Sequence, residues 1–166
     1  NSGLDVDLLP VINSAITKQA VSNKRSAAIE LKPGKIITGR ETEIFTPVSS
    51  TILNAIKTLA KIKDEIYLIT PEVLNNILTI KKQIEPENYL LTLNEVLIAL
   101  SSSATTNPLA NKALKELEKL SNLDLHATYI IENGDLKILR DLKINFTSEP
   151  EFYNERIFKK QSSKNK

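Results

Sequence analysis

Residues Thr92 to Ala110, TLNEVLIALSSSATTNPLA, constrain the fold most. Val96, Leu97, Ile98, Ala99 and Leu100 make the first half apolar on nearly every side, and a helix of that kind is stable only where other elements enclose it. Thr92 with Glu95 three residues on is a capping-box start. Ser101, Ser102, Ser103, Thr105 and Thr106 then end the helix. Asn107-Pro108 reads as an N-cap followed by a first-turn proline, opening a second helix to about Leu120. A single domain of 166 residues can surround such a helix, since a chain of this size buries about two-thirds of its unfolded surface.

The flanking segments supply the layers. Val11, Ile12, Ala15, Ile16 and Val21 fall near helical spacing behind Pro10, which predicts a helix to about Lys24. Ala27–Leu31 and Lys35–Thr38 are short β-type runs around Pro33-Gly34, the signature of a hairpin. Thr46-Pro47 opens a helix to about Lys61, and Thr70-Pro71-Glu72 opens another directly after the apolar run Ile66–Ile69. A strand followed at once by a capped helix indicates an α/β protein. Leu125–Ile131 reads as a strand, Asp135 to about Leu142 as a short helix, and Ile144–Phe146 as a last strand. The pattern predicts one α/β domain over residues 1–150: a mixed sheet with an N-terminal hairpin and flanking helices. The runs at 66–69 and 125–131 should be central and the helix from Leu93 to Leu100 among the most buried. Residues 151–166 read as a polar, basic tail.

Charge and inventory exclude several functions. A net charge of +2 gives no footprint for nucleic acid or an acidic membrane, and no apolar run reaches membrane-spanning length. The absence of cysteine fits a cytoplasmic protein. The chain begins at Asn1 without any methionine, as a fragment or a processed chain would. His126 is the only histidine, so no zinc site is expected, and neither a P-loop nor a GxSxG elbow occurs. No cofactor is expected in this chain.

Two segments could hold an anion. Thr38, Gly39 and Arg40 place a glycine beside a guanidinium at a strand end, which suits a phosphate and equally a plain turn glycine with a solvated arginine. Ser103, Thr105, Thr106 and Asn107 lead into a helix N-terminus, where free N–H groups and the helix dipole suit a phosphate or carboxylate. The same residues are also what plain capping requires. His126 completes the candidate set, either as a hydrogen-bonded structural residue or as a base paired with Asp124 or Glu149.

Four runs in fixed order carry a resemblance: Ile37-Thr38-Gly39-Arg40; Leu53-Asn54-Ala55-Ile56-Lys57 with Leu59-Ala60; Glu95 through Asn107-Pro108; and Thr147-Ser148-Glu149-Pro150. From about Pro10 to about Lys160 the chain resembles the C-terminal domain of a bacterial family catalogued as domain of unknown function 1846. The resemblance implies a parent about three times as long, with an N-terminal α/β part bearing a glycine-rich, P-loop-like segment. Some members carry the label of ATP-dependent zinc protease, for which this domain lacks the ligands. The family's His-Thr-Asp-Glu-Val run stands here as Thr92-Leu93-Asn94-Glu95-Val96, and Ser103, Leu123 and Ser148 replace expected cysteines. His126 matches the family pattern.

Two expectations follow. One is a non-catalytic structural or interaction module, packed against the N-terminal domain of a nucleotide-binding parent or a second subunit. The other is a binding or enzymatic domain that holds a phosphorylated small molecule near Ser103–Asn107 and Thr38–Arg40.

Overall fold

The computed structural model describes residues 2–149. Helix α1 (Ser2–Ser22) leads into the hairpin of β1 (Ser26–Lys32) and β2 (Lys35–Arg40). Helices α2 (Pro47–Leu59), α3 (Pro71–Ile84), α4 (Leu93–Ser103) and α5 (Pro108–Leu114) follow, and a 3₁₀ turn at Leu117–Leu120 leads to β3 (Asp124–Ala127), α6 (Asn133–Asp141) and β4 (Asn145–Ser148). The strands form one mixed sheet in the order β2-β1-β3-β4, antiparallel except for the parallel β3–β4 pair. This is the α/β domain with an N-terminal hairpin and flanking helices that the sequence predicts. Pro10 lies inside α1 rather than in its first turn.

Helices cover both sheet faces, which is why β1 lacks the apolar/polar alternation of a half-wetted strand. Ala27 and Ile29 face α2 and the main core, while Ala28 packs with Val11 and Ala15 of α1 in a separate cluster. Opposed residues share a face, so the register puts Thr38, Ala28, His126 and Thr147 in one row under α1. Gly34 turns the hairpin with a positive φ of 83°.

Threonine or asparagine followed by proline starts three helices. Thr46, Thr70 and Asn107 each accept a hydrogen bond from a first-turn amide, and a proline occupies the next position. Helix α4 buries Leu93, Val96, Ala99 and Leu100 but leaves Ile98 exposed, so it is enclosed on one side rather than all round.

Three sequence expectations are corrected. Residues 66–69 form no strand. Leu68 and Ile69 are buried as irregular chain, with Lys57 Nζ donating to the Asp64 and Ile66 carbonyls at 2.7 Å each and Asn107 Nδ2 to the Leu68 carbonyl at 3.3 Å. Side chains take the main-chain acceptors a sheet would have used, and apolarity alone does not distinguish the two outcomes. The strand expected over 125–131 ends at Ala127, although Tyr129 and Ile131 beyond it remain buried. The helix expected to Leu120 stops at Leu114 and gives way to the 3₁₀ turn. The predicted tail lies outside the described residues.

Gly39 sets the spacing between sheet and helix. A Cβ there would stand 2.4 Å from the Thr51 amide nitrogen and 2.5 Å from its hydroxyl. Alanine normally suits a strand better than glycine, yet Gly39→Ala is expected to cost about 1–3 kcal/mol in urea unfolding, because β2 must move off α2. A neutral or stabilising result would show that the contact yields freely.

Candidate functional site

The two predicted anion segments do not share a cleft. Thr38, Gly39 and Arg40 line an opening of about 310 Å³ between α1, β2 and α2. Arg40 also lines a second, larger cleft of about 680 Å³ with Lys24, Arg25, Glu41 and Tyr89. None of Ser103, Thr105, Thr106 or Asn107 lines either cleft. Asn107 instead caps α5, its side-chain oxygen accepting from the Leu109 amide at 3.0 Å. The Thr105 hydroxyl donates to the Ser102 carbonyl at 2.8 Å, while Ser103 is half-buried and Thr106 exposed.

Other residues of the resemblance are used internally too. Asn54 Nδ2 donates to the Thr38 carbonyl at 3.0 Å and so ties α2 to β2. Lys57 pins the irregular 64–66 segment. Glu95 Oε1 accepts from the Thr92 amide at 2.9 Å and pairs with the buried Lys81, which binds α3 to the start of α4.

His126 lies in the row under α1, buried, with Nδ1 2.7 Å from the Thr147 hydroxyl. Its Nε2 has no hydrogen bond and stands 3.9 Å from the Glu149 carboxylate. Burial lowers the imidazole pKa to about 4 and raises that of Glu149. His126 is therefore neutral at neutral pH. Asp124, the other partner considered, bonds instead to Asn145 at 3.4 Å.

A polar cluster that sequence reasoning missed sits where α2, α4 and α6 begin. Phe45 bridges to Leu91, which sets the starts of α2 and α4 side by side. The fully buried Asp135 accepts from the Leu93 amide at 2.7 Å. Arg25 donates to Glu41 at 2.9 Å and Glu132 at 3.2 Å, and stacks 4.6 Å from the Tyr129 ring centre. Burial opposes the Arg25 charge, but Glu41 and Glu132 outweigh it and raise its pKa. Burial, with the charges of Glu132 and Asp135, lifts the Tyr129 phenol well above its ordinary value. Tyr129 Oη, Glu132 Oε2 and Asp135 Oδ2 have no hydrogen-bond partner. Glu132 to Asp135 reads in sequence as a turn, and nothing there announces a buried acid. Among the described residues no three His, Asp or Glu side chains are placed to hold a metal ion.

Burial raises the Asp135 pKa to about 7. Between the ordinary carboxylate value and 7 the native carboxyl holds a proton that the unfolded one has lost, so raising the pH through that window favours unfolding. Asp135→Asn keeps an acceptor for the Leu93 amide and cannot ionise. The stability difference, wild type minus variant, should fall as pH rises from 4 to 7.5, measured by urea unfolding at each pH. A flat difference would mean that the Asp135 carboxyl does not carry this proton. His126 acts oppositely in both proteins, its stabilisation being lost as pH falls from 6.5 through 4, and cancels in the difference.

Comparison with known proteins agrees with the resemblance. The family model described as domain of unknown function DUF1846, C-terminal, matches residues 7–158. A UPF0371 protein of Clostridium tetani (strain Massachusetts / E88) is 39% identical over 132 residues, covering 79% of this chain and 26% of that protein. UPF0371 protein SpyM50764 of Streptococcus pyogenes serotype M5 (strain Manfredo) is 36% identical over 159 residues, covering 95% and 32%. A UPF0371 protein of Streptococcus pneumoniae (strain P1031) is 41% identical over 134 residues, covering 80% and 27%. The chain thus spans between a quarter and a third of the length of the curated relatives it matches. It belongs to the DUF1846 family, whose C-terminal domain it represents.

Proposed function

We propose that this domain is an interaction module that packs against the N-terminal part of a longer protein and performs no chemistry by itself. The observation that carries this reading is the inverted burial of α3. Lys81 is 4% exposed, whereas Val73, Ile80 and Ile84 are 38%, 56% and 69% exposed. Val73, Ile77, Ile80 and Ile84 follow the 4-3-4 spacing of one helix face, beside the Leu74–Leu78–Lys81 face turned to the core. A helix that buries an ammonium and exposes isoleucines is arranged for a second partner.

The occupant is the rest of the parent chain, for two reasons. The relatives carry two-thirds or more of their length outside the matched region. Three exposed side chains with the half-buried Ile77 are also far fewer than the roughly 20–30 residues a side of a standard interface between separate molecules. A tethered partner needs less area, because its effective concentration is already in the millimolar range. The internal use of Asn54, Lys57, Glu95 and Asn107 supports a structural role for the motif residues.

In a full-length protein carrying this domain, Ile80→Gln with Ile84→Gln is expected to lower the melting temperature and open new protease sites. In the isolated 166-residue chain the same pair should change stability by no more than about 0.5 kcal/mol per site, as exposed positions do. Identical melting and proteolysis of the full-length variant and wild type would sink the reading. Dimerisation of the isolated chain that the substitutions abolish would replace the tethered partner with a second copy.

A further inference from the structure

We propose that the cleft between α1, β2 and α2 binds a phosphoryl group, either as inorganic phosphate or as the head of a small phosphomonoester. Lys18 from α1 and Arg40 from β2 supply two cations, and Thr38, Thr42, Ser50 and Asn54 supply uncharged polar groups. No carboxylate lines this cleft among the described residues, in contrast to the neighbouring one, which Glu41, Glu43 and Glu87 line. Neither Lys18 nor Arg40 is in an ion pair among the described residues.

The Ser50 hydroxyl separates a built site from a patch of solvated cations. Ser50 is 8% exposed, lines the cleft from the first turns of α2, and its Oγ has no hydrogen-bond partner. A buried hydroxyl left unpaired is costly, and rotation about χ1 would turn the Ser50 Oγ, itself closed to solvent, toward a ligand oxygen in the cleft. The main chain contributes as well. The Thr38 carbonyl turns outward to Asn54, and an antiparallel strand turns both main-chain groups of a residue the same way, so the Thr38 N–H faces this open edge too. Gly39 keeps the floor low by letting β2 approach Thr51.

The donor set selects the ligand. Two cations on separate elements match a dianion, whereas a single carboxylate would leave one uncompensated. The hydroxyl-bearing residues Thr38, Thr42 and Ser50 come from a strand, the segment after it and a helix, so they can surround a tetrahedral group rather than line one edge of a planar one. The volume of about 310 Å³ exceeds what a bare phosphate fills, and Phe45 and Leu53 offer apolar surface to an organic remainder.

The test is titration of the 166-residue chain with inorganic phosphate, ribose 5-phosphate and unphosphorylated ribose, at constant ionic strength, followed by thermal unfolding and calorimetry. Phosphate, ribose 5-phosphate or both should raise the melting temperature by several degrees at saturation, and ribose should not. Binding of inorganic phosphate alone assigns free phosphate as the ligand; tighter binding of the ester assigns a phosphomonoester. Ser50→Ala should leave the unliganded protein as stable as before or more stable, since an unpaired hydroxyl is removed, and weaken binding about fivefold or more, a split that a purely structural serine would not give. Lys18→Gln with Arg40→Gln should abolish the shift. No shift with either phosphate, or a shift undiminished in both Ser50→Ala and the double variant, overturns the proposal.

Discussion

Thr51 meets β2 where Gly39 has no side chain, so α2 lies closer to the sheet than any other residue type at position 39 would allow. The approach is locked by polar bonds. The Thr51 hydroxyl donates to the Pro47 carbonyl at 2.8 Å and reaches the Ala27 carbonyl at 3.3 Å, and Asn54 holds the Thr38 carbonyl. With α2 seated, Val48, Ile52, Ala55 and Ile56 pack on Ala27 and Ile29, and the starts of α4 and α6 gather around its N-terminus. A glycine that reads in sequence as a turn or a phosphate cradle is first of all a packing residue, and the cleft beside it is a by-product of the same closeness.

Where local chemistry decides structure, the sequence is legible. Thr46-Pro47, Thr70-Pro71 and Asn107-Pro108 mark three helix starts to the residue, because a cap and a first-turn proline need only their own neighbours. The hairpin around Pro33-Gly34 is legible for the same reason. Illegible features are those that distant atoms decide. Ile66–Ile69 has the apolarity of a buried strand, and only Lys57 and Asn107, from elsewhere in the chain, spend the carbonyls that would have paired. The acid at Asp135 looks like part of a turn because its partner, the Leu93 amide, is 42 residues away. Of the candidate site, Thr38, Gly39 and Arg40 share one cleft, while Ser103–Asn107 lie apart from it.

Polar groups in this domain fall into two populations. Asn54, Lys57, Lys81, Glu95 and Asn107 bond to the chain itself and hold neighbouring elements together. Ser50, His126, Tyr129 and Asp135 are buried with an atom unsatisfied, and such groups have to be answered by water, a proton or a ligand. The buried acid and the buried imidazole pull stability in opposite directions with pH, which narrows the range over which the fold is most stable. Neither lies in the cleft beside Gly39, so a ligand there would act without titrating them directly.

Helix α1 is fastened differently from the rest. Among the described side chains its contact with the sheet centres on Val11, Ala15 and Ala28, with Leu8, Ile12 and Ile36 packed around them in a cluster separate from the main core, together with a hydrogen bond between Gln19 and Thr128. The face beneath is composed largely of Ser26, Thr38, His126 and Thr147, which water can solvate. Opening free energy follows buried apolar contact, so α1 with its separate small cluster is expected to form an outer tier of cooperativity. The outer tier can peel while all four strands stay paired, and the amides of α1 would then exchange with solvent well before those of β1.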